Sequence, residues 1–206
     1  ALDAIPVVPV GLPLKVNSGA TGYEFGTISS DVVKVYSGTG LSGTTINFDN
    51  VFTDTYPFYK VHISNGFADS NSGNYMSIRM IDQAGSVRSD SSYNFSRTYA
   101  YYNTSSNNGR SSPGMQDGNY GAIAWNGQDG TGVNVELAFH NTRQTGKYTF
   151  VNSYGSWYDG ANTWSTGIGG IHLKRNEAHR GFQIQDQGSG GANIQISQIQ
   201  IYGYKN

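Results

Sequence analysis

Val133, Val135, Leu137 and Phe139 alternate with Asn134, Glu136 and Ala138. A period of two puts one set of side chains on a buried face and the other on a face open to water, so this stretch reads as a half-buried strand. Tyr59, Val61 and Ile63 alternate with Lys60, His62 and Ser64 in the same way. From residue 31 onward such runs are short and lie between turn signals. The predicted strands are Val32–Tyr36, Thr44–Phe48, Phe58–Ser64, Tyr75–Ile81, Ser92–Tyr102, Gly121–Trp125, Val133–His140, Lys147–Ser153, Gly167–Lys174, Phe182–Gln185 and Ile194–Tyr204. Ser70–Asn74, Thr104–Gly118, Asn126–Gly132 and Gly188–Gly191 are rich in Gly, Asn and Ser and read as turns or loops. In the last strand the apolar phase slips between Ile194/Ile196 and Ile199/Ile201, which predicts a β-bulge near Ser197 and Gln198. About ten short strands fit an all-β, two-sheet antiparallel sandwich, with a jelly roll the expected version.

Composition narrows the function classes. Charged residues are 13% of the 206, about half the roughly 25% of an ordinary soluble domain. A net charge of −1 argues against a nucleic-acid binder that works by neutralising phosphates. There is no Cys, hence neither a disulfide nor a thiolate metal site. No apolar run is long enough to form a membrane-crossing helix, so membrane insertion is not expected. The opening ALDAIPVVPVGLPL lacks a basic stretch and makes a poor signal peptide. A start at Ala is what removal of an initiator Met leaves, so a full-length chain is expected.

Residues 1–30 read as a separate element ahead of the sandwich at 31–206. Three of the five prolines, Pro6, Pro9 and Pro13, lie there among Ile5, Val7, Val8, Val10, Leu12 and Leu14. Proline fixes φ and removes a donor, so the stretch should be extended and unfit for a central strand. An apolar arm of this kind either packs on its own domain or docks into a partner. It is suited to adding extended backbone to a neighbouring subunit. The polar turn Asn17–Gly22 leads from it into Tyr23, Glu24 and Phe25.

The chain offers little catalytic chemistry. No phosphate-cradling glycine motif and no G-x-S-x-G elbow occurs in a suitable context. The four His (His62, His140, His172, His179) lack zinc-ligand spacing and read as outward strand or loop residues. Glycoside hydrolysis needs two facing carboxylates, and nothing marks a pair among Glu24, Glu136, Glu177 and the turn-like aspartates. Asp117-Gly118-Asn119 or Asn126-Gly127-Gln128-Asp129 could hold Ca²⁺ through oxygen ligands, although the turn reading is preferred. No other cofactor is expected.

Aromatic residues carry the binding signal. Tyr93, Phe95, Tyr99, Tyr101 and Tyr102 form one cluster; Tyr148, Phe150, Tyr154, Trp157, Tyr158 and Trp164 form another. Some of these must fill the core or a subunit interface, where Tyr and Trp are enriched. Gly155, Gly160, Asp159 and Asn162 suggest a loop around Trp157, Tyr158 and Trp164. Those five, Trp157, Tyr158, Asp159, Asn162 and Trp164, are the candidate glycan contacts: rings for sugar faces, amide and carboxylate for hydroxyls.

Two end segments and two internal strands resemble a known group. Leu14–Phe25 (LKVNSGATGYEF) is similar to an "L-x-V-N-S-x-x-T-G-(Y/L)-E-(F/W)" segment near the N-terminus of short bacteriophage fibre and virion surface proteins. Ile199–Lys205 (IQIYGYK) resembles the closing strand of their jelly-roll modules; Tyr75–Ser86 and Gly167–Leu173 resemble internal strands. The module's usual Gly before the final strand is replaced by Ser197-Gln198. The resemblance implies a non-enzymatic virion structural protein, assembled in the host cytoplasm and displayed on the particle surface. Capsid decoration or a head fibre is preferred over a tail fibre, because no shaft precedes the module. The expected partners are other virion proteins through the arm, copies of the same chain (a trimer favoured) and a host-surface glycan. The alternatives are a free carbohydrate-binding lectin and, less favoured, a glycan-cleaving enzyme.

Overall fold

In the computed structural model, residues 14–16, 19–25, 30–68, 75–103, 106–125, 132–158, 163–187 and 192–205 are described. They form strands β1 (Leu14–Val16), β2 (Tyr23–Phe25), β3 (Val32–Gly43), β4 (Thr45–Phe48), β5 (Phe58–Ala68), β6 (Tyr75–Asp82) and β7 (Tyr93–Asn103), followed by β8 (Ser106–Gly118), β9 (Gly121–Trp125), β10 (Val133–His140), β11 (Thr149–Tyr158), β12 (Thr163–Leu173), β13 (His179–Asp186) and β14 (Ile194–Tyr204). No helix occurs among the described residues. The chain divides into two units, Ala1–Asp31 and Val32–Asn206. In the first, β1 and β2 form an antiparallel hairpin in which Leu14 pairs with Phe25 and Val16 with Tyr23. Leu14 is therefore the start of a hairpin; Ile5 to Pro13 lie outside the described residues.

The second unit is an antiparallel sandwich. One sheet runs β3-β14-β5-β10-β11-β12-β7-β8 and the other β4-β13-β6-β9. Their facing surfaces are apolar: Val61, Ile63, Val135, Leu137, Phe139, Ile199 and Ile201 from the long sheet meet Phe48, Met76, Ile78, Met80, Phe182 and Ile184 from the short one. Aromatic rings close one end, with Phe182 stacked on Phe48 at 4.9 Å and packed against Phe139 at 5.0 Å. Burying these rings is one large part of the driving force, since each removes a large apolar area from water.

The same end is pinned by ion pairs. Arg180 grips Asp49, Arg143 grips Asp54, Arg175 meets Asp90, and Arg88 reaches both Glu177 and Asp82. His179 is fully buried there, with Nδ1 at 3.1 Å from Thr149 Oγ1 and Nε2 at 3.5 Å from Glu177. Burial pushes its pKa down to about 4 against the opposing pull of Glu177, so it is neutral at pH 7.

Two expectations about strands are corrected. Thr104–Gly118, read as a loop, contains β8, the edge strand paired to β7. Its Gly, Asn and Ser residues carry no alternation, because the strand is held by backbone bonds at a sheet edge. Pro113 sits where the β7–β8 register shifts between Phe95 and Arg97, and edge strands and bulges are where a sheet tolerates proline. The second correction concerns the phase slip in β14. Ser197 and Gln198 both face solvent, but the strand keeps its register with β3 and β5 there. Both neighbours slip in the same row, at Gly40 (φ 61°) and Asn65 (φ 52°), and Asn65 Nδ2 donates to Ser197 Oγ at 3.1 Å. The mismatch is absorbed one strand further on, where the β5–β10 register shifts between Val133 and Val135.

Candidate functional site

β11 and β12 extend the long sheet, side by side with full register from Thr149–Leu173 to Tyr158–Trp164. In β11 the inward set is Val151, Ser153, Gly155 and Trp157; the outward set is Phe150, Asn152, Tyr154 and Ser156. In β12 the inward set is small near its middle, Ser165, Gly167 and Gly169, while Trp164 and Ile168 point out. The glycines give Trp157 room: a Cβ on Gly167 would lie 2.9 Å from the Trp157 ring and 2.9 Å from the Thr98 carbonyl. Trp157 is 5% exposed and also packs against Tyr99 at 6.0 Å.

The five glycan candidates thus separate. Trp157 is in the core, a correction to its expected place in a surface loop, because the two-residue period carries it inward with Val151. Tyr158 and Trp164 end the two strands, their rings 4.7 Å apart, with Trp164 63% exposed. Asp159 and Asn162 lie outside the described residues. The structure brings Tyr158 and Trp164 together and removes Trp157 from their face.

It also shows outward residues beyond the five candidates, some of them members of the second aromatic cluster. Tyr154 and Ile168 are a register pair and each is 61% exposed. Phe150 stacks on its register partner His172 at 4.7 Å and 6°, and Tyr148 meets the same imidazole edge-on at 4.9 Å. Burial and the nearby Lys174 lower the His172 pKa, which keeps the ring neutral. Between these rows lies Gly170, where an added Cβ would meet nothing within 4 Å. A hollow of about 220 Å³ opens there, walled by Phe150 and His172 and edged by Asn94, Ser96 and Asn152. The ring row continues across the sheet, with Phe58 4.8 Å from His140 and 5.0 Å from Tyr204.

Comparison of the chain with protein-family models, with curated proteins and with solved structures found no significant match. The site is therefore read from its own chemistry.

Six carboxylates among the described residues of this unit are in ion pairs. Glu136 holds Lys60 at 3.0 Å and faces His62 at 3.5 Å, while Asp49, Asp54, Asp82, Asp90 and Glu177 are in the ion pairs at the sandwich end. Among the described residues, no three His, Asp or Glu side chains are grouped to hold a metal. Of the two Ca²⁺ candidates, Asp117-Gly118-Asn119 ends β8, where the Asn119 carbonyl accepts from Arg79 Nε at 2.8 Å. Asn126–Asp129 lies outside the described residues. Around Gly170 the outer face offers rings, amides, a hydroxyl and an imidazole, which suits recognition of an uncharged partner.

Proposed function

We propose that the chain is a non-enzymatic structural protein of a bacteriophage particle, displayed on its surface with residues 1–30 as the attachment element. The observation that carries this reading is strand order. Within the long sheet, β3-β14-β5-β10 faces β4-β13-β6-β9. Following the chain, β3 to β6 alternate between the two sheets, β6 and β9 are neighbours in the short one, and β10, β13 and β14 alternate again, in the manner of two nested Greek keys, a jelly roll. The pairs β7-β8 and β11-β12 are insertions that widen one sheet. This order agrees with the module that the end segments resemble, and the widened sheet supplies a broad outward face. Capsid decoration or a head fibre remains the preferred location, as a homotrimer. The test is mass spectrometry and antibody labelling of particles from a producing culture. Stoichiometric chain on the particle exterior is expected, lost when residues 1–14 are deleted; its absence from particles overturns the proposal.

One observation favours the second reading, a free carbohydrate-binding lectin. Tyr154, Trp164 and Ile168 are large, apolar and more than half exposed on one sheet face, and such patches mark interaction sites. A chain secreted free of particles that still binds glycans would favour this reading over display.

A further inference from the structure

We infer that the hollow over Gly170 is a binding subsite for one uncharged pyranose unit of a glycan. This deepens the display reading by naming what the outward face takes up, and it rests on that face being open in the assembled particle.

The outward row of β12 has one gap. Every second residue of β12 points outward: Trp164, Thr166, Ile168, Gly170 and His172. Only Gly170 contributes no side chain, so the sheet surface drops by the depth of one residue. Its register neighbours, Asn152 on β11 and Ser96 on β7, are short and polar and do not fill the gap. On one side along the strands stand Phe150 and His172; on the other stand Tyr154 and Ile168. The two ridges are four residues apart, roughly 13 Å at the rise of a strand.

The lining selects the ligand's chemistry. Phe150 is 43% exposed and offers an apolar surface for the C–H face of a sugar. Asn94, Asn152 and Ser96 supply amide donors, amide acceptors and a hydroxyl. His172 lines the same side, its ring stacked flat against Phe150. No Lys, Arg, Asp or Glu lines the hollow among the described residues. A charged ligand would lose its hydration with no counter-charge to replace it, whereas hydroxyls are matched by the groups present. About 220 Å³ has room for one pyranose ring rather than an extended chain.

The full chain is tested on an array of neutral and sialylated glycans, followed by saturation-transfer NMR with the best neutral hexoses. Binding to at least one neutral glycan is expected. Gly170→Val fills open space on an exposed strand position, where a β-branched residue is well accepted. It should leave the melting temperature unchanged and weaken binding at least tenfold; Phe150→Ala should do the same. Trp164→Ala, at the far end of the strand, should change affinity less than twofold. No neutral glycan bound, a preference confined to sialylated glycans, or full affinity in a folded Gly170→Val chain overturns the subsite. So does cross-linking that places Phe150 and Asn152 against a second copy. Particle association is read separately: particles that carry the chain while it binds no sugar would sink the subsite and leave the display reading standing.

Discussion

The Tyr93 hydroxyl accepts a hydrogen bond from the Met80 amide at 2.8 Å, spanning the gap between the two sheets. It donates in turn to the Arg88 carbonyl at 3.0 Å, and burial raises its pKa far above that of a free phenol. The ring is fully buried at the start of β7, so this hydroxyl bridges the inserted strand to β6. Tyr93→Phe keeps the ring and strands the Met80 N–H without a partner. A buried unsatisfied donor costs about 1–3 kcal/mol, so the unfolding free energy should fall by that amount, read as a lower urea midpoint with an unchanged slope.

His179 makes stability depend on pH in a defined window. Its pKa is lowered from 6.5 to about 4 in the folded state, so the unfolded chain binds this proton first as pH falls. Stability is full above about 6.5, declines between 6.5 and 4, and loses no more from this group below 4; the total is about 3 kcal/mol. Urea melts from pH 8 to 4 should show the decline, and His179→Gln should flatten it. Loss confined to below pH 4 would assign it to the carboxylates instead.

Trp157 and Trp164 belong to opposite faces and should respond oppositely to truncation. Trp157→Ala opens a core cavity and should cost about 3–5 kcal/mol. Trp164→Ala removes an exposed ring and should stay within about 0.5 kcal/mol of the parent. Equal losses in thermal melts would contradict the assignment of faces.

Gly167 and Gly170 form a similar contrast three residues apart. Alanine at 167 meets the Trp157 ring, the Thr98 carbonyl and Tyr99 at 2.9 Å, whereas alanine at 170 meets nothing. Overpacking should cost Gly167→Ala about 1–3 kcal/mol and shift the tryptophan emission. Gly170→Ala should be silent in both measurements.

Much of the sandwich was legible because burial on one face imposes a period of two. β9, β10 and β14 match their predicted ends: β9 is a short apolar run, β10 alternates cleanly, and β14 carries isoleucines on both sides of its slip. β8 was not legible, since an edge strand needs only backbone partners and its side chains carry no pattern. Trp157 was not legible as a core residue because Gly155, Gly160 and Asp159 around it mimic a loop signal. Val151, Ser153 and Gly155 already set the inward phase, and continuing it by two reaches Trp157. The hollow was hidden for another reason. A glycine in a strand says nothing about what lies opposite, and only the register of β11, β12 and β7 shows Gly170 between Asn152 and Ser96.

The kink shared by Gly40, Ser197 and Asn65 makes these three positions, far apart in the chain, a single joint insertion. Deleting Ser197 alone would turn every side chain on one side of it to the wrong face. Deleting all three together would keep β3, β14 and β5 in step and also remove the offset against β10. A length change in any one of these strands is therefore tolerable only when the other two follow it, which ties three distant segments of the chain into one unit of variation.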